Sequence, residues 1–258
     1  MKELIIVKIG GNIIDSEAEL KKFLSGYSKI KSPKILVHGG GKLATQLSQK
    51  LGIETKMVDG RRITDAETLK ITTMVYAGWI NKTITAQLNA KKNKAIGLCG
   101  ADVSVIKSTK RKKGKIDYGF VGDVLSKNIN TSFLMDLLKQ GITPIISPIT
   151  ADAKGQLLNT NADTIASCLA VALNKNFKVK LIYCFEKEGV LNGDKVISTI
   201  NSNDYQLLKK EKIIIDGMIP KLDNAFDSLK SGVKQVIIGN ASKLSQLLNS
   251  KNGTRISI

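Results

Sequence analysis

Short hydrophobic runs alternate along the chain with longer segments of amphipathic spacing. The hydrophobic runs have the length of buried strands and lie at Leu4–Ile9, Lys34–His38, Ala95–Leu98, Ile142–Ser147, Val179–Cys184 and Val233–Ile238. The amphipathic segments predict helices at Glu17–Ser28, Lys42–Leu51, Asp65–Asn89, Ser132–Gln140, Asp163–Asn174, Asn203–Lys210 and Met218–Lys230. Strands joined through helices of this length form right-handed parallel crossovers. The pattern therefore predicts an α/β fold, with a mainly parallel sheet covered by helices on both faces.

Local signals refine the boundaries of several elements. Ser16 with Glu19, and Thr64 with Glu67, match the capping box that begins a helix. Lys107–Val121 contains two glycines between β-branched flanks, which predicts an exposed hairpin with a basic tip. The sequence has no proline- or serine-rich linker and no internal repeat, so a continuous architecture is predicted.

The composition excludes several classes of protein. With 42% hydrophobic residues in a chain of 258, wholesale disorder is excluded, and no apolar run approaches the roughly 18 residues of a membrane span. The N-terminus enters a strand-like run directly, without the pattern of a signal peptide. The three cysteines are too far apart for CxxC zinc or redox motifs: Cys99, Cys168 and Cys184. We therefore expect a protein of the reducing cytoplasm, without a membrane partner.

The positive net charge raises the question whether the protein binds nucleic acid. There are 40 Lys and Arg against 22 Asp and Glu, a formal charge of +18, and the densest basic cluster lies at Lys107–Lys115. However, aromatic residues make up only 5% of the chain, and lysine greatly outnumbers arginine. We interpret the excess as solvated surface charge with one basic loop. A surface that attracts small anionic substrates is the main alternative, and no nucleic-acid partner is expected.

Two of the strand-like runs end in glycines, which suits anion binding. Gly10 and Gly11 follow the first run, whereas Gly40 and Gly41 follow the second run and precede a helix. Backbone amides that carry no Cβ, at the positive end of a helix dipole, favour a carboxylate or a phosphate. Neither turn is a Walker A loop or a dinucleotide fingerprint, and tight turns that need only a positive φ are the alternative. His38, the only histidine, is interpreted as structural.

Polar residues occur where a purely structural pattern would not place them. Lys8 interrupts an apolar strand, where it is costly unless its ammonium group reaches water or an anion; a lysine that snorkels at a strand end is the equal alternative. Lys221 lies near the predicted start of a helix, an end that is already positive, and a bound anion would resolve the conflict. Asn159, Asn161 and Asp163 crowd another helix start, where capping explains only one of them.

These residues resemble the amino acid kinase family. The resemblance extends over essentially the whole chain and rests on motifs in the family's order: Lys8-Ile9-Gly10-Gly11, His38-Gly39-Gly40-Gly41, Gly60-Arg61-Arg62-Ile63-Thr64, Asn159-Thr160-Asn161-Ala162-Asp163, Asp216-Gly217-Met218-Ile219-Pro220-Lys221 and Gly253-Thr254-Arg255-Ile256. It implies a three-layer αβα sandwich around an open, mainly parallel sheet of about eight strands. It also implies that residues 1–175 bind an acylated amino acid and dimerise, while residues 176–258 bind ATP.

The segments Gly60–Thr64 and Asn159–Asp163 resemble the branch of the family that phosphorylates the γ-carboxylate of N-acetyl-L-glutamate with ATP in arginine biosynthesis. By motif, the resemblance implies that Lys8 and Lys221 stabilise the transferring phosphoryl group and that Asp163 orients them. The residues implied to bind the substrate are Gly40, Gly41, Arg62 and Asn159. Another acceptor, such as N-succinylglutamate or an aminoadipate derivative, stays open. A non-catalytic, nucleic-acid-binding homologue is the alternative of a different class.

The nucleotide segment departs from the family's pattern. The resemblance implies ATP, with Mg²⁺ carried by the nucleotide rather than by a protein metal site, and phosphate contacts from Gly10 and Gly11. Where relatives usually carry S/T-D-V-x-G, this chain has Phe185–Gly189, with Glu186 in place of an aspartate. The nucleotide contacts implied in the second half of the chain are Glu186, Gly189, Val190, Leu191, Ile213, Ile214 and Ile215.

A homodimer that arginine does not inhibit is expected, because arginine-inhibited relatives carry an additional N-terminal helix and the first strand here begins at Leu4. The long helix predicted at Asp65–Asn89 carries apolar residues on more than one face, among them Met74 and Trp79. Its second apolar face is a candidate dimer surface. Burial of both faces against the sheet is the alternative.

Overall fold

The computed structural model describes residues 1–58, 61–215 and 217–258. Its strands, numbered in chain order, are β1 (Glu3–Ile9), β2 (Lys34–His38), β3 (Met57–Val58), β4 (Arg61–Arg62), β5 (Ala95–Leu98), β6 (Thr109–Lys110), β7 (Val121–Asp123), β8 (Thr143–Ile146), β9 (Ile149–Ala151), β10 (Leu157–Thr160), β11 (Lys178–Phe185), β12 (Leu191–Asn192), β13 (Lys195–Val196), β14 (Thr199–Ile200), β15 (Gln235–Asn240) and β16 (Thr254–Ile256).

The α-helices lie between these strands. They are α1 (Gly11–Asp15), α2 (Glu17–Ser28), α3 (Gly41–Lys50), α4 (Ala66–Thr73), α5 (Asn81–Ala90), α6 (Thr131–Lys139), α7 (Ala162–Leu173), α8 (Ser202–Lys210), α9 (Met218–Lys230) and α10 (Leu244–Leu248). A π-helical segment, Met74–Ile80, joins α4 to α5. None of the helices in the described ranges is long and apolar enough to cross a membrane.

An eight-stranded sheet forms the centre, in the order β14-β16-β15-β11-β1-β2-β8-β5. Its neighbours pair in parallel, except β15 and β16, which are antiparallel. The predicted sandwich with a mainly parallel sheet is therefore confirmed. The sequence pattern did not predict β14 or β16, because strands of two and three residues are too short to show a periodicity.

The alternation of side chains along β1 divides the core into two clusters. Leu4 and Ile6 pack with residues of α6, α7, α8 and α9 on one face of the sheet. Ile5 and Val7 pack with residues of α1, α2, α3 and the α4–α5 helix on the other face. Lys8 follows the alternation of Leu4 and Ile6, so its side chain leaves the strand on the face that α7 covers.

A second sheet of four strands has the order β6-β7-β10-β9. β6 and β7 are the arms of the hairpin predicted at Lys107–Val121, and they pair antiparallel with Lys110 opposite Gly122. β7 also pairs in parallel with β10, which places Val121 opposite Asn159. The basic hairpin is therefore joined through its second strand to a strand that carries a predicted site residue.

The start of α4 differs by one residue from the expectation. Asp65 is the N-cap and accepts a hydrogen bond from the N–H of Thr68 at 2.8 Å, so the capping box expected for Thr64 with Glu67 is wrong. Thr64 is fully buried instead, beside the candidate site. At the other predicted box, Ser16 does accept the N–H three residues later, at 3.4 Å.

Candidate active site

Four helices begin beside the carboxyl ends of the central parallel strands. α1 and α3 follow β1 and β2 through the two glycine turns, with Gly10 and Gly40 as N-caps. The first turns of α7 and α9 carry Asp163 and Lys221, which meet Lys8 near the end of β1. Ligands of open parallel sheets bind at this edge, where the strands end and the helix dipoles are positive.

Lys8, Asp163 and Lys221 form one charged cluster. Lys8 Nζ lies 2.8 Å from Asp163 Oδ1, and Lys221 Nζ lies 2.8 Å from Asp163 Oδ2. The three side chains are only 12% to 15% exposed. Because one carboxylate faces two ammonium groups, the cluster has an excess of one positive charge, and it presents that charge at the edge of the sheet where these helices begin.

The electrostatics keep this cluster charged. Burial raises the pKa of Asp163, but the ammonium groups of Lys8 and Lys221 outweigh burial and hold that pKa well below its usual range. Burial lowers the pKa of Lys221, and Asp163 opposes that shift. Asp163 is therefore an ionised carboxylate at neutral pH that holds two cations in fixed positions.

Tyr183 lies against this cluster and was not predicted. It stands opposite Lys8 in the register of β1 and β11. Its hydroxyl donates to the carbonyl of Asp163 at 3.2 Å, and its ring centroid lies 5.1 Å from Lys221 Nζ, within cation–π range. The available signal was the alternation along β11, which places Tyr183 on the same face of the sheet as Leu181.

The first glycine turn differs from the expectation in one respect. The Gly10 N–H donates to the carbonyl of Cys184 at 3.1 Å, so the expectation that both glycine amides are available for a phosphate does not hold for Gly10. Gly11 begins α1 next to the second turn, since a Cβ built on it would lie 3.9 Å from Gly41 N. The two turns are therefore neighbours.

The second glycine turn can contain only glycine at Gly40. Its φ is +149°, and a Cβ there would lie 2.3 Å from Ile80 Cδ1 and 3.1 Å from Tyr76 Cδ1. The π-helical segment, which contains both of these side chains, thus packs directly on the turn. Gly41 begins the ten-residue helix α3, so its backbone amide is at the positive end of that helix.

His38 supports this turn from inside the core. It is fully buried, with Nδ1 2.8 Å from the carbonyl of Gly39 and Nε2 3.2 Å from Asn81 Nδ2. Burial lowers its pKa to about 4. A neutral ring that donates from Nδ1 and accepts at Nε2 satisfies both contacts, in agreement with the structural interpretation of this residue.

Arg62 reaches the same turn from β4 and is only 8% exposed. Its Nη2 donates to the carbonyl of Gly41 at 2.9 Å and to Thr45 Oγ1 at 2.8 Å, while Nη1 donates to Thr55 Oγ1 at 3.2 Å. None of these partners is charged, so the guanidinium keeps its full charge beside the amino end of α3. Gly60, from the same motif, lies outside the described residues.

A cavity of about 210 Å³ lies between the second glycine turn and the start of α7. All four predicted substrate residues line it, namely Gly40, Gly41, Arg62 and Asn159. Asn159 donates from Nδ2 to Thr64 Oγ1 at 3.1 Å. Asn161, the N-cap of α7, and Ala162 also line the cavity, and Asp163 follows them directly in the chain.

Sequence reasoning missed several residues of this cavity, among them Tyr76, Arg111, Val121 and Pro148. Arg111 belongs to the basic cluster that was interpreted as surface charge, and the structure corrects that interpretation for this one residue. The signal was available, since Arg111 is the single arginine among the lysines of Lys107–Lys115.

The segment expected to meet the nucleotide follows β11. Glu186 is exposed, and Asn240 Nδ2 donates to its carbonyl and to Glu188 Oε1, each at 3.0 Å. A Cβ on Gly189 would lie 2.7 Å from Thr254 Oγ1, so glycine is required there. These contacts fix the backbone of the segment.

Two of the residues that were expected to contact the nucleotide are buried in the fold. Val190 is buried, and its N–H donates to Thr254 Oγ1 at 2.8 Å, so neither its side chain nor its amide is available to a nucleotide. Ile214 is buried in the core as well, whereas Ile213 is half-buried and Ile215 is 54% exposed. Leu191 is half-buried in β12. Asp216, which follows Ile215, lies outside the described residues.

The fold and the site define an open-sheet α/β protein with a cationic cluster at the carboxyl edge of its sheet, and comparison with known proteins identifies its family. The sequence profile of the amino acid kinase family matches residues 3–240. The chain is 55% identical over 263 aligned residues to the acetylglutamate kinase of Cytophaga hutchinsonii and 52% identical over 261 to that of Phocaeicola vulgatus, and each alignment covers 99% of both chains. A solved protein of Streptococcus mutans superposes with a TM-score of 0.81 at 27% identity, covering 100% of this chain and 99% of that one. The chain belongs to the amino acid kinase family.

Proposed function

We propose that the protein transfers the γ-phosphoryl group of ATP to the γ-carboxylate of N-acetyl-L-glutamate, giving N-acetyl-L-glutamyl 5-phosphate and ADP, in arginine biosynthesis. The observation that carries this proposal is the cluster in which Asp163 holds Lys8 and Lys221 at 2.8 Å each, next to the cavity that Arg62 and Asn159 line. The names of relatives that are 55% and 52% identical support N-acetylglutamate over the other acylated acceptors.

The reaction needs positioning and charge neutralisation rather than a base. A γ-carboxylate is ionised at pH 7, because carboxyl groups of this kind titrate near pH 4, so no side chain has to remove a proton from the nucleophile. The difficulty is to bring two anions together in line. Lys8 and Lys221 neutralise the charge on the transferring phosphoryl group, and Mg²⁺ arrives with ATP as part of that substrate. Asp163 keeps the two ammonium groups in place.

The cavity supports a substrate with two different ends. Arg62 binds the α-carboxylate, since its guanidinium has no charged partner among the described residues and lies at the amino end of α3, where it donates to the carbonyl of Gly41. Asn159 binds the acetamido group. This arrangement directs the γ-carboxylate toward the start of α7, where Asp163 and the two lysines lie.

The nucleotide lies on the side of residues 176–258 in this proposal, and residues 1–175 bind the acylated amino acid. Glu186, Gly189, Leu191, Ile213 and Ile215 border the nucleotide, while Val190 and Ile214 support that region from the core. Gly11 borders the phosphates. The free thiols of the three cysteines suit a reducing cytoplasm, and no nucleic-acid partner is part of the proposal.

The proposed assembly is a homodimer. Met74 and Trp79 of the π-helical segment are 54% and 70% exposed, whereas Val75 and Ile80 of the same segment are buried. Because a π-helix bonds residues five apart, Met74 and Trp79 lie on one face of the segment. An exposed tryptophan beside an exposed methionine is a surface that a second copy of the chain would cover.

A hydroxylamine trap tests the function. The purified chain is incubated with MgATP, hydroxylamine and a panel of acylated amino acids, and the acyl hydroxamate is quantified. We expect hydroxamate from N-acetyl-L-glutamate at a higher kcat/KM than from N-succinyl-L-glutamate or N-acetyl-L-aminoadipate. No hydroxamate from any member of the panel, with the chain folded, would overturn the proposal. Preference for another member would overturn the choice of substrate alone.

A further inference from the structure

Arg111 brings a guanidinium into the substrate cavity from the basic hairpin, in addition to Arg61 and Arg62 of β4. Its backbone N–H donates to the carbonyl of Val121 at 2.8 Å, and Val121 stands opposite Asn159 in the four-stranded sheet. Arg111, Val121 and Asn159 all line the cavity. Arg111 therefore lies at the same end of the cavity as Asn159, the end assigned to the acyl group.

The guanidinium of Arg111 is held in place. Its Nε lies 3.0 Å from Asp123 Oδ1 and 3.3 Å from Asp123 Oδ2, and its Nη2 also donates to Asp123. Its Cζ lies 5.5 Å from the ring centroid of Tyr118. Because a planar guanidinium bound through two nitrogens has little freedom left, the direction of its third nitrogen is fixed.

That third nitrogen, Nη1, is buried and has no hydrogen-bond partner within residues 1–58, 61–215 and 217–258. A buried N–H without a partner costs free energy, and native proteins rarely leave one. Arg111 lines the cavity, so a ligand that fills the cavity against this side chain can supply the acceptor that the protein does not.

The charges around Arg62 and Arg111 differ. Asp123 neutralises Arg111, whereas the partners of Arg62 are hydroxyl and carbonyl oxygens. Arg62 thus offers an uncompensated charge that suits a carboxylate. Arg111 offers a donor within a neutral pair, which suits an uncharged acceptor such as a carbonyl oxygen.

We propose that Nη1 of Arg111 donates a hydrogen bond to the acyl carbonyl oxygen of the substrate, and that this bond makes Arg111 a specificity-determining residue. The inference rests on the proposed function, because it takes an N-acylated amino acid as the ligand. A site built to hydrogen-bond a substrate atom discriminates against an analogue that lacks that atom, because its own buried polar group is then left without a partner.

The experiment changes the acceptor atom and the donor separately. N-thioacetyl-L-glutamate replaces the carbonyl oxygen with sulfur, a weaker acceptor, in a ligand of nearly the same shape. The variants are Arg111→Met and, as a matched control from the same hairpin, Lys110→Met, whose ammonium group lies over the ring of Phe120 at 4.3 Å. The measured quantities are kcat/KM in the hydroxylamine trap and the Kd of each ligand by calorimetry without ATP.

We expect the wild-type chain and Lys110→Met to prefer the acetyl over the thioacetyl substrate by about tenfold or more, as a bond from a charged donor implies. In Arg111→Met, kcat/KM for N-acetyl-L-glutamate falls by about the same factor and the preference between the two substrates disappears. An unchanged preference in Arg111→Met would overturn the inference, and so would the absence of a preference in the wild-type chain.

The two proposals fail in different ways. If the wild-type chain phosphorylates N-acetyl-L-glutamate and Arg111→Met keeps the wild-type preference, only the role of Arg111 is wrong. If the wild-type chain neither binds nor phosphorylates any acylated glutamate, both proposals are wrong. Because Asn159 also borders the acyl group, the wild-type comparison alone does not assign the donor, and Arg111→Lys, which keeps a cation but loses Nη1, is the second variant if Arg111→Met does not fold. Loss of the preference in Arg111→Lys supports the inference, and an unchanged preference overturns it.

Discussion

Lys221, in the first turn of α9, is bound through its ammonium group to Asp163, in the first turn of α7, with 2.8 Å between Nζ and Oδ2. A lysine near the amino end of a helix opposes the helix dipole, and the carboxylate compensates for it. Since the same carboxylate also binds Lys8, one residue keeps two cations in place where the proposed substrates, both anions, would meet.

Asp163→Asn removes the charge that these lysines share while it keeps the shape of the side chain. Loss of one partner of a buried ion pair costs about 3 kcal/mol or more, so we expect the free energy of unfolding at pH 7 to fall by about that amount. Chemical denaturation measures it. The exposed pair of Asp136 with Lys139 supplies the control, since Asp136→Asn is expected to change the free energy of unfolding by less than about 1 kcal/mol.

The contribution of Asp163 to stability depends on pH with a definite sign. Because its pKa is lower in the folded than in the unfolded chain, its stabilisation is complete above the ordinary carboxyl pKa of about 4 and is lost progressively as the pH falls further. The difference in unfolding free energy between wild type and Asp163→Asn is therefore expected to shrink below about pH 4. A difference that stays constant from pH 7 to pH 2.5 would contradict the ion-pair geometry.

Arg62→Lys keeps a positive charge but loses the planar fork of donors. We expect the KM for N-acetyl-L-glutamate to rise by about tenfold or more, because a charged hydrogen bond to the α-carboxylate is lost. The KM for ATP is expected to stay within about twofold, since Arg62 lies beside Gly41 rather than near Gly189. A larger change in the KM for ATP than for the acyl substrate would contradict the assignment of Arg62.

The burial of His38 predicts that the free energy of unfolding depends on pH in a range different from that of Asp163. Its pKa is about 4 in the folded chain and about 6.5 when unfolded, so between these values the unfolded chain binds more protons. Stability therefore rises with pH across the window, by about 2–3 kcal/mol in total. In His38→Gln this increase is expected to be absent in chemical denaturation between pH 4 and pH 7. The same pH slope in both chains would show that His38 is accessible to protons in the fold.

The sequence predicted the strands and helices that have a regular hydrophobic pattern, and the site residues whose type is unusual for their position. The strands buried on both faces appear as continuous hydrophobic runs, and Lys8 stands out because it interrupts one of them. Gly40 was predictable as a turn residue, and the structure adds the reason why no other residue fits, a φ of +149° that residues with a Cβ rarely adopt.

The parts that were not predicted depend on contacts between distant residues. Arg111 differs from its lysine neighbours as the single arginine of Lys107–Lys115, but only the pairing of β7 with β10 shows that the hairpin reaches Asn159. Likewise, Val190 belongs to a glycine-containing motif, but only Thr254, 64 residues later, shows that its amide is used inside the fold. In both cases, contacts between residues far apart in the sequence determine the role of the residue.

The proposed dimer depends on Trp79. We expect Trp79→Glu to convert a species of twice the 28.0 kDa chain mass into a monomer in light scattering at micromolar concentration, because a charge cannot be buried in an apolar interface without a partner. Leu207→Glu is the control, since Leu207 is also exposed, at 55%, but lies on α8. A wild-type chain that is already monomeric would contradict the dimer.

The proposed reaction depends on two lysines, held by one carboxylate, that stabilise the transferring phosphoryl group. The most direct test compares kcat with the calorimetric Kd for N-acetyl-L-glutamate in Lys221→Met, with the exposed Lys21→Met as control. A cation that acts mainly in the transition state contributes about 10²–10³ in kcat. We predict a fall of that size in Lys221→Met with Kd within about threefold of wild type. A kcat that remains within tenfold of wild type, in a folded variant, would contradict the claim.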